Sequence, residues 1–197
     1  MSDILCVTNR KLCTEDFWTR LGKLAAARPK GILLREKDLT EAQYFSLAEQ
    51  AIALCREYGT PLILHGFPSV AAALHHDALH LPLPLLRTLD RHFPVLGASC
   101  HSVEDALEAQ ALGCTYITAG HIFDTDCKKG LPGRGTDFLR SVCEAVTIPV
   151  YAIGGICPEN IACVRAGGAA GACVMGGAMR CENVEDYLSR LEERHAT

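Results

Sequence analysis

Short apolar runs alternate with amphipathic stretches along the whole chain. Eight runs of four or five mainly aliphatic and β-branched residues occupy positions 4–7, 31–34, 61–64, 78–81, 95–98, 115–118, 149–153 and 172–175. Continuous apolar runs of this length are typical of parallel strands that are buried on both faces. The pattern therefore predicts eight buried strands.

The stretches between these runs carry the signals of helix ends. Residues 40–43 form a capping box, in which a hydroxyl and a later amide satisfy each other's backbone N–H groups. Residues 102–105 begin the next clear helix, and Gly113 is expected to end it. Pro158 is predicted as a first helical residue, since that position does not need its N–H. A last helix is predicted over 184–194.

The count of units indicates the fold class. Eight strand–helix units in 197 residues leave about 25 residues for each. This predicts an α/β fold, a single compact (β/α)8 TIM barrel over residues 1–197. An open doubly wound sheet is the alternative, but it normally carries a glycine-rich turn after its first strand, where this chain has Thr-Asn-Arg-Lys at 8–11. In a barrel, the active site is expected at the C-terminal ends of the strands.

Composition excludes several classes of protein. Hydrophobic residues make up 49% of the chain, which argues against disorder, and the net charge of -4 argues against a nucleic-acid partner. No run approaches the roughly 20 apolar residues of a membrane span, and the first residues lack a signal-peptide pattern, so a cytoplasmic location is expected. The eleven cysteines are scattered and odd in number, which predicts reduced thiols.

Histidines stand at the ends of two consecutive predicted strands. His101 follows the fifth strand and His121 the sixth, and histidine gives and takes protons near neutral pH. We therefore predict His101 and His121 as a catalytic pair, although each taken alone has a structural role as the alternative. The His-His-Asp sequence at 75–77 resembles a metal cluster, but its adjacent histidines do not converge on one point, so no metal site is predicted.

Two glycine pairs follow the last two strands, and each precedes a predicted helix. Gly154 with Gly155 and Gly176 with Gly177 allow a ligand to approach the backbone N–H groups at a helix start. They are predicted to bind phosphate, with tight turns as the alternative. The loop 122–135 carries three cations and three glycines. It is predicted to close over an anionic substrate, with a solvated loop as the alternative.

Three segments together resemble the thiamine phosphate synthase and thiazole tautomerase superfamily. They are LLREKDL at 33–39, GHIFDTDCKKGLPGRG at 120–135 and IPVYAIGGICPENI at 148–161. The likeness covers nearly the whole chain in order. The last segment alone is shared by many phosphate-binding barrels, whereas the combination is specific.

Particular residues separate the two branches of this superfamily. The synthase pattern has Asn-Asp after the third strand, where this chain has His65 and Gly66, and a further Asp past the fourth strand, where residues 81–85 hold no carboxylate. Magnesium, which the synthase uses, prefers oxygen ligands. The loop 121–135 and the Ser-x-His-Ser sequence around His101 are instead similar to the tautomerase branch.

The resemblance implies a thiazole tautomerase of thiamine biosynthesis, an isomerase that uses no metal and no cofactor. Its substrate is a thiazole carboxylate phosphate with an exocyclic double bond, which becomes the aromatic isomer. His121 is then the general acid/base, and His101 polarises the substrate or shares the proton. The implied substrate-binding residues are Arg35, Lys37, Thr125 and Lys128, of which Arg35, Lys37 or Lys128 is expected to face the carboxylate.

Two other functions stay open. One is thiamine phosphate synthase, which couples a pyrimidine pyrophosphate to thiazole phosphate. The other is a non-catalytic barrel that binds a phosphorylated metabolite and regulates. A small-molecule thiazole phosphate is the expected partner, with no nucleic acid and no membrane, and a homodimer is left open because barrels of this kind often dimerise.

Overall fold

Eight strands form the centre of the protein in a computed structural model that describes residues 2–125 and 130–193. All eight predicted strands are confirmed, with bounds that shift by at most two residues. The strands are β1 (Ile4–Val7), β2 (Gly31–Leu34), β3 (Leu62–His65), β4 (Ala78–Pro82), β5 (Val95–Cys100), β6 (Tyr116–Gly120), β7 (Val150–Ile153) and β8 (Gly171–Val174).

Helices and a short 3₁₀ turn (Arg10–Leu12) connect these strands. Within the described residues, the helices are α1 (Phe17–Ala26), α2 (Glu41–Tyr58), α3 (Pro68–Ala73), α4 (Leu83–Leu86), α5 (Val103–Ala111), α6 (Gly135–Ala145), α7 (Ile161–Ala166), α8 (Gly176–Arg180) and α9 (Val184–Glu192). Several are only one turn long, which accounts for eight units fitting into so short a chain.

The strands make one closed parallel barrel in the order of the chain, from β1 to β8. Ile32 pairs with Leu62 and Thr118 with Tyr151, and most strand residues are buried. Strands covered on both faces favour aliphatic side chains on both faces, which is why the apolar runs predict them so directly. The structure confirms the predicted (β/α)8 TIM barrel.

The backbone divides into two compact units. The first comprises residues 2–80 and 175–193, and in it α1 packs against both α2 and α9. Its two segments are also joined where the buried Arg20 guanidinium donates to the Ala178 carbonyl at 3.5 Å. The second comprises residues 81–174, in which β5, β6, β7 and β8 pair in sequence. The assignment of 1–197 to one domain stays a prediction.

The capping signals predict two helix starts correctly. Thr40 Oγ1 accepts the Gln43 N–H at 3.4 Å, and Gln43 Oε1 accepts the Thr40 N–H at 3.0 Å. Ser102 Oγ accepts the Asp105 N–H at 3.0 Å, and α5 ends just before Gly113, which has a φ of +88°. Each signal uses only neighbouring residues, so it can be read from sequence.

The predicted helical position of Pro158 is wrong, because α7 begins three residues later at Ile161. The side chain of Asn160 holds the preceding residues in a turn instead. Its Oδ1 accepts the Cys157 N–H at 2.9 Å, and its Nδ2 donates to the Gly155 carbonyl at 2.8 Å. Side-chain bonds of this kind offer the backbone an alternative to the helix.

The cysteines in the described ranges form no disulfides, and half of them are buried. They pack as small apolar groups. Burial raises the pKa of the Cys100 thiol to about 12, although it adjoins His101. Across residues 2–125 and 130–193, the helices lack the combination of length and apolar character that crossing a membrane requires.

Candidate active site

Two neighbouring strands of the second unit deliver the predicted histidine pair. β5 ends at Cys100 and β6 at Gly120, and Cys100 pairs with Ala119 across the two strands. His101 and His121 are therefore the first residues beyond two strands that are bonded to each other. The strand ends thus carry both predicted catalytic side chains.

The His101 ring is bound to the peptide that carries the second histidine. Its Nδ1 lies 2.8 Å from the Gly120 carbonyl oxygen. A carbonyl oxygen only accepts, so this bond assigns the ring proton to Nδ1. In the neutral ring, Nε2 is then the proton acceptor.

The start of α5 fixes the backbone of His101. The His101 N–H donates to Asp105 Oδ2 at 2.8 Å, while Ser102 caps the helix. The Arg134 guanidinium donates to the His101 carbonyl and lies over the Phe138 ring, 4.2 Å from its centroid. Helix capping and a cation–π contact therefore restrict this turn, and with it the place of the imidazole.

His121 is buried, with 8% of its surface exposed. Its Nε2 lies 3.2 Å from the Leu131 carbonyl oxygen, so this bond assigns the proton to Nε2 and makes Nδ1 the acceptor in the neutral ring. Its own carbonyl accepts the Arg134 N–H at 3.0 Å. The two histidines thus use opposite nitrogens to bind the backbone.

The described ends of the predicted lid are tied to each other. The Gly135 N–H donates to the Ile122 carbonyl at 2.9 Å, and the Gly133 N–H donates to Asp124 Oδ1 at 2.7 Å. Thr125 is half-buried in this part of the loop. Residues 126–129, and with them Lys128, lie outside the described residues, so closure of the loop stays a prediction.

The glycine pair after β7 packs against the segment that carries His121. Gly154 has a φ of +100°, and a Cβ there would overlap the Cβ of His121. Gly155 has a φ of +65°, and a Cβ there would overlap the Asp124 carbonyl. Both the left-handed backbone and the close approach require glycine. Phosphate binding at this pair stays a prediction.

The glycine pair after β8 differs in its surroundings. A Cβ on Gly177 would overlap the Tyr187 hydroxyl, whereas a Cβ on Gly176 would meet no atom within 4 Å. Packing therefore explains Gly177 but does not explain Gly176. The Arg35 guanidinium lies against the preceding residue, with Nη1 4.0 Å from Met175 Sδ.

The end of β2 holds a buried carboxylate between two cations. Glu36 is 2% exposed, while Arg35 is half-buried and Lys37 is exposed. Thr8 Oγ1 donates to Glu36 Oε1 at 2.7 Å and accepts the Arg35 N–H at 3.0 Å. The Arg10 side chain donates from Nε to Glu36 Oε2 at 3.2 Å. Glu36 thus connects the chain after β1 to the chain after β2.

Two further histidines lie side by side in the first unit. The rings of His65 and His80 are nearly parallel, with centroids 5.8 Å apart. Burial, followed by the charges of Arg35 and Lys37, lowers the pKa of His65 to about 4. Burial, followed by His65 and Arg35, holds the pKa of His80 well below its usual value. Both imidazoles are therefore neutral at neutral pH.

The structure brings some predicted residues together within each unit. In the second, His101 is bonded to the residue before His121, and His121 packs on Gly154. In the first, Arg35 lies against the residue before Gly176.

Sequence reasoning missed the role of Glu36, left His65 undecided and did not place His80 beside it. A carboxylate between Arg35 and Lys37 was the available signal for Glu36, because a buried charge needs partners. His65 and His80 lie beside each other because of the register between β3 and β4, which is set by tertiary pairing.

The sequence of this chain is similar to those of known thiamine-phosphate synthases. The family model described as thiamine monophosphate synthase matches residues 4–178. Thiamine-phosphate synthase 2 of Streptococcus pneumoniae is 34% identical over 185 residues, which cover 91% of this chain and 88% of that protein. The thiamine-phosphate synthase of Syntrophomonas wolfei is 32% identical over 168 residues, which cover 82% and 80%.

Solved structures show the same fold. Thiamine phosphate pyrophosphorylase from Pyrococcus furiosus matches with a TM-score of 0.83 and 27% identity, over 96% of this chain and 93% of that one. The enzyme of that name from Bacteroides thetaiotaomicron matches with a TM-score of 0.69 and 19% identity, over 98% and 96%. At that identity the second likeness concerns the fold alone.

Proposed function

Because the chain belongs to the thiamine monophosphate synthase family, we propose that it is the thiazole tautomerase of a thiamine biosynthesis route. The reaction isomerises a thiazole carboxylate phosphate that carries an exocyclic double bond to its aromatic form. The resemblance of residues 120–135 to the tautomerase branch motivates this choice within the family.

The hydrogen bonds of the two histidine rings are the observation that carries the proposal. His101 donates from Nδ1 to the Gly120 carbonyl, and His121 donates from Nε2 to the Leu131 carbonyl. Each ring therefore has its tautomer fixed by a backbone acceptor and retains one basic nitrogen. Fixing the tautomer by such a bond is a common way to prepare a histidine for proton transfer.

The chemistry requires one proton to leave and one to arrive. A base removes the proton from the ring carbon that bears the carboxylate, and the electron pair moves into the ring. An acid then delivers a proton to the exocyclic carbon, and the ring becomes aromatic. His121 Nδ1 serves as the base and its conjugate acid returns the proton, while His101 holds the adjoining peptide and shares the proton through Nε2.

The remaining binding roles rest on the resemblance. Arg35 and Lys37 supply the cations that stabilise the carboxylate and the charge that develops as the proton leaves. Thr125 and Lys128 belong to the loop that binds the substrate. The glycines after β7 and β8 bind its phosphate by their backbone N–H groups.

An isomerisation assay tests this proposal. Protein treated with EDTA is incubated with the unaromatised thiazole carboxylate phosphate, and the aromatic isomer is followed by proton NMR. We expect wild-type protein to accelerate the reaction, and His121→Ala to lose about 10²- to 10⁴-fold of that rate. His92→Ala is the matched control, since His92 is an exposed histidine, and it should retain the wild-type rate.

Two results would contradict the tautomerase. One is a wild-type rate equal to the reaction without enzyme. The other is a rate that His121→Ala leaves unchanged, which would remove the histidine from the mechanism.

The second candidate is thiamine phosphate synthase, which the names of the relatives at 30–34% identity favour. The magnesium that this resemblance implies has no matching donor set in the described residues. β3 ends at His65 and β4 at Pro82, and no three His, Cys, Asp or Glu side chains there are grouped as metal ligands. The oxygens of Glu36 are occupied by Thr8 and Arg10.

A coupling assay distinguishes the two reactions. Protein is supplied with the pyrimidine pyrophosphate, thiazole phosphate and magnesium, and release of pyrophosphate is measured. We expect no release above the blank. Release that depends on magnesium, together with no isomerisation, would establish the synthase in place of the tautomerase.

A further inference from the structure

A row of three polar side chains crosses the ends of β2, β3 and β4 in the first unit. Leu34 pairs with Leu64, which sets the next residues, Arg35 and His65, opposite each other, and His65 pairs with His80. Registered residues of neighbouring parallel strands project from the same face of the sheet. One guanidinium and two imidazoles therefore stand side by side.

The two imidazoles differ in depth. His80 is 1% exposed and His65 is 7% exposed, and their planes are inclined by only 18°. The His65 backbone is fixed without its ring, because its N–H donates to Tyr44 Oη at 2.8 Å and that hydroxyl donates to the Leu34 carbonyl at 2.6 Å. His80 is thus the deeper ring, and His65 is the one that retains access.

The charges around His65 determine what it offers a ligand. Burial, followed by the charges of Arg35 and Lys37, lowers the pKa of His65, so the imidazole stays neutral and presents one N–H donor and one acceptor. Arg35 supplies a planar fork of donors beside it, which fits the two oxygens of a carboxylate. A cation together with a neutral donor suits a planar monoanion.

We propose that His65 is a specificity-determining residue, which donates a hydrogen bond to the carboxylate of a heteroaromatic substrate whose other carboxylate oxygen is bound by Arg35. The inference rests on the proposed function for the identity of that carboxylate. It adds a residue that selects carboxylated ligands over ligands of the same ring without the carboxylate.

Calorimetric titration with two stable ligands tests the inference. The ligands are the aromatic thiazole carboxylate phosphate and the same thiazole phosphate without its carboxylate. We expect His65→Leu to weaken binding of the first about tenfold, since one hydrogen bond to a charged group is lost, and to leave the second unchanged. His92→Leu, at an exposed histidine, is the matched control and should change neither affinity.

Conservative variants separate recognition from structure. Asn and Gln place an amide donor near the positions of Nδ1 and Nε2, so we expect one of His65→Asn and His65→Gln to recover most of the lost affinity. This pair also serves if the leucine variant fails to fold, which thermal unfolding reveals. Equal weakening of both ligands, or unchanged selectivity in all three variants, would overturn the inference.

The titrations and the isomerisation assay together distinguish failure of the inference from failure of the proposed function. Selective binding that depends on His65, in a protein that accelerates no isomerisation, supports the inference and contradicts the tautomerase. Isomerisation that depends on His121, with selectivity unaffected at His65, does the reverse. Wild-type protein that binds neither ligand contradicts both.

Discussion

The position of His121 depends on the absence of a side chain at Gly154, against which it packs. The Cβ and Cα of His121 occupy the space that a Cβ on Gly154 would need, and the Gly154 φ of +100° is one that residues with side chains rarely adopt. The Gly154 carbonyl also accepts the Phe123 N–H at 3.0 Å. The segment after β6 therefore depends on the glycines beyond β7 for its position.

Substitution Gly154→Ala should displace His121. We expect the proposed isomerisation to fall at least tenfold and the free energy of unfolding to fall by about 1–3 kcal/mol, because the methyl group meets both strain and overlap. Enzyme assays and urea unfolding measure the two effects. Gly22→Ala is the control, since Gly22 lies inside α1 with open space around its Cα, and it should be neutral or slightly stabilising. A fully active Gly154→Ala protein would show that this contact does not position the histidine.

Single residues could be predicted where chemistry and position coincide. His101 and His121 follow strands in the sequence itself, so their placement at strand ends needed no tertiary information. The role of Glu36 and the pairing of His65 with His80 depend on which atoms meet across strands. That information resides in the register of the barrel and not in any local pattern.

The carboxylate of Glu36 holds two elements together, because it hydrogen-bonds the chain that leaves β1 to the chain that leaves β2. The Arg10 backbone N–H adds a bond of 3.1 Å to the contacts that Thr8 and the Arg10 side chain make. Arg35, one of the predicted substrate-binding residues, is attached to the same network through Thr8.

Removing this carboxylate should loosen both loops. We expect Glu36→Ala to lower the free energy of unfolding by about 3 kcal/mol, since it leaves the Thr8 hydroxyl, the Arg10 backbone N–H and the Arg10 Nε–H without their acceptor. Urea unfolding of Glu108→Ala provides the comparison. Glu108 pairs with Arg87 on the surface at 2.6 Å, and its removal should leave the midpoint almost unchanged. Equal midpoints for the two variants would contradict a structural role for Glu36.

Elements were predictable to the extent that their signals are local. The apolar runs locate the strands, and the hydroxyl caps locate the starts of α2 and α5. The start of α7 was predicted wrongly, because the Asn160 side chain bonds back to Gly155 and Cys157, both of which precede Pro158, and delays the helix. Such competition between side chain and helix depends on a geometry that the sequence does not display.

The architecture of the whole molecule was predictable from its repeating sequence pattern, because eight repeats of a buried strand and a helix have few closed arrangements. The order of strands follows the chain, so the barrel required no long-range inference. The exact depth of each side chain did require the structure. The burial of His65 and His80 lowers the pKa of each and keeps both imidazoles neutral.

Stability of the folded chain should depend on pH through His65. Its folded pKa of about 4 lies below the ordinary value of 6.5, so the unfolded chain binds the proton more readily. The part of the free energy of unfolding that depends on a neutral His65 is therefore fully present above pH 6.5, and it is lost as the pH falls towards 4. His80 acts in the same direction, while Arg35 and Lys37 stay charged throughout.

Urea unfolding at pH 7.5 and pH 5 measures this dependence. Between these values, His65 should account for a loss of about 2 kcal/mol, at 1.4 kcal/mol for each pH unit below its unfolded pKa. We expect His65→Asn to lose correspondingly less stability over the same interval, and His92→Asn to behave as wild type. If His65→Asn and wild type lose the same amount, His65 is not a buried neutral imidazole.

The first unit combines residues 2–80 with residues 175–193, and this affects the order in which its parts are synthesised. Residues 2–80 are made before the second unit, whereas α8 and α9 are made after it. The described residues of the second unit, 81–174, are contiguous, so its strands can gather while synthesis continues. The surface of α1 that α9 covers therefore stays exposed until residues 184–192 have been made.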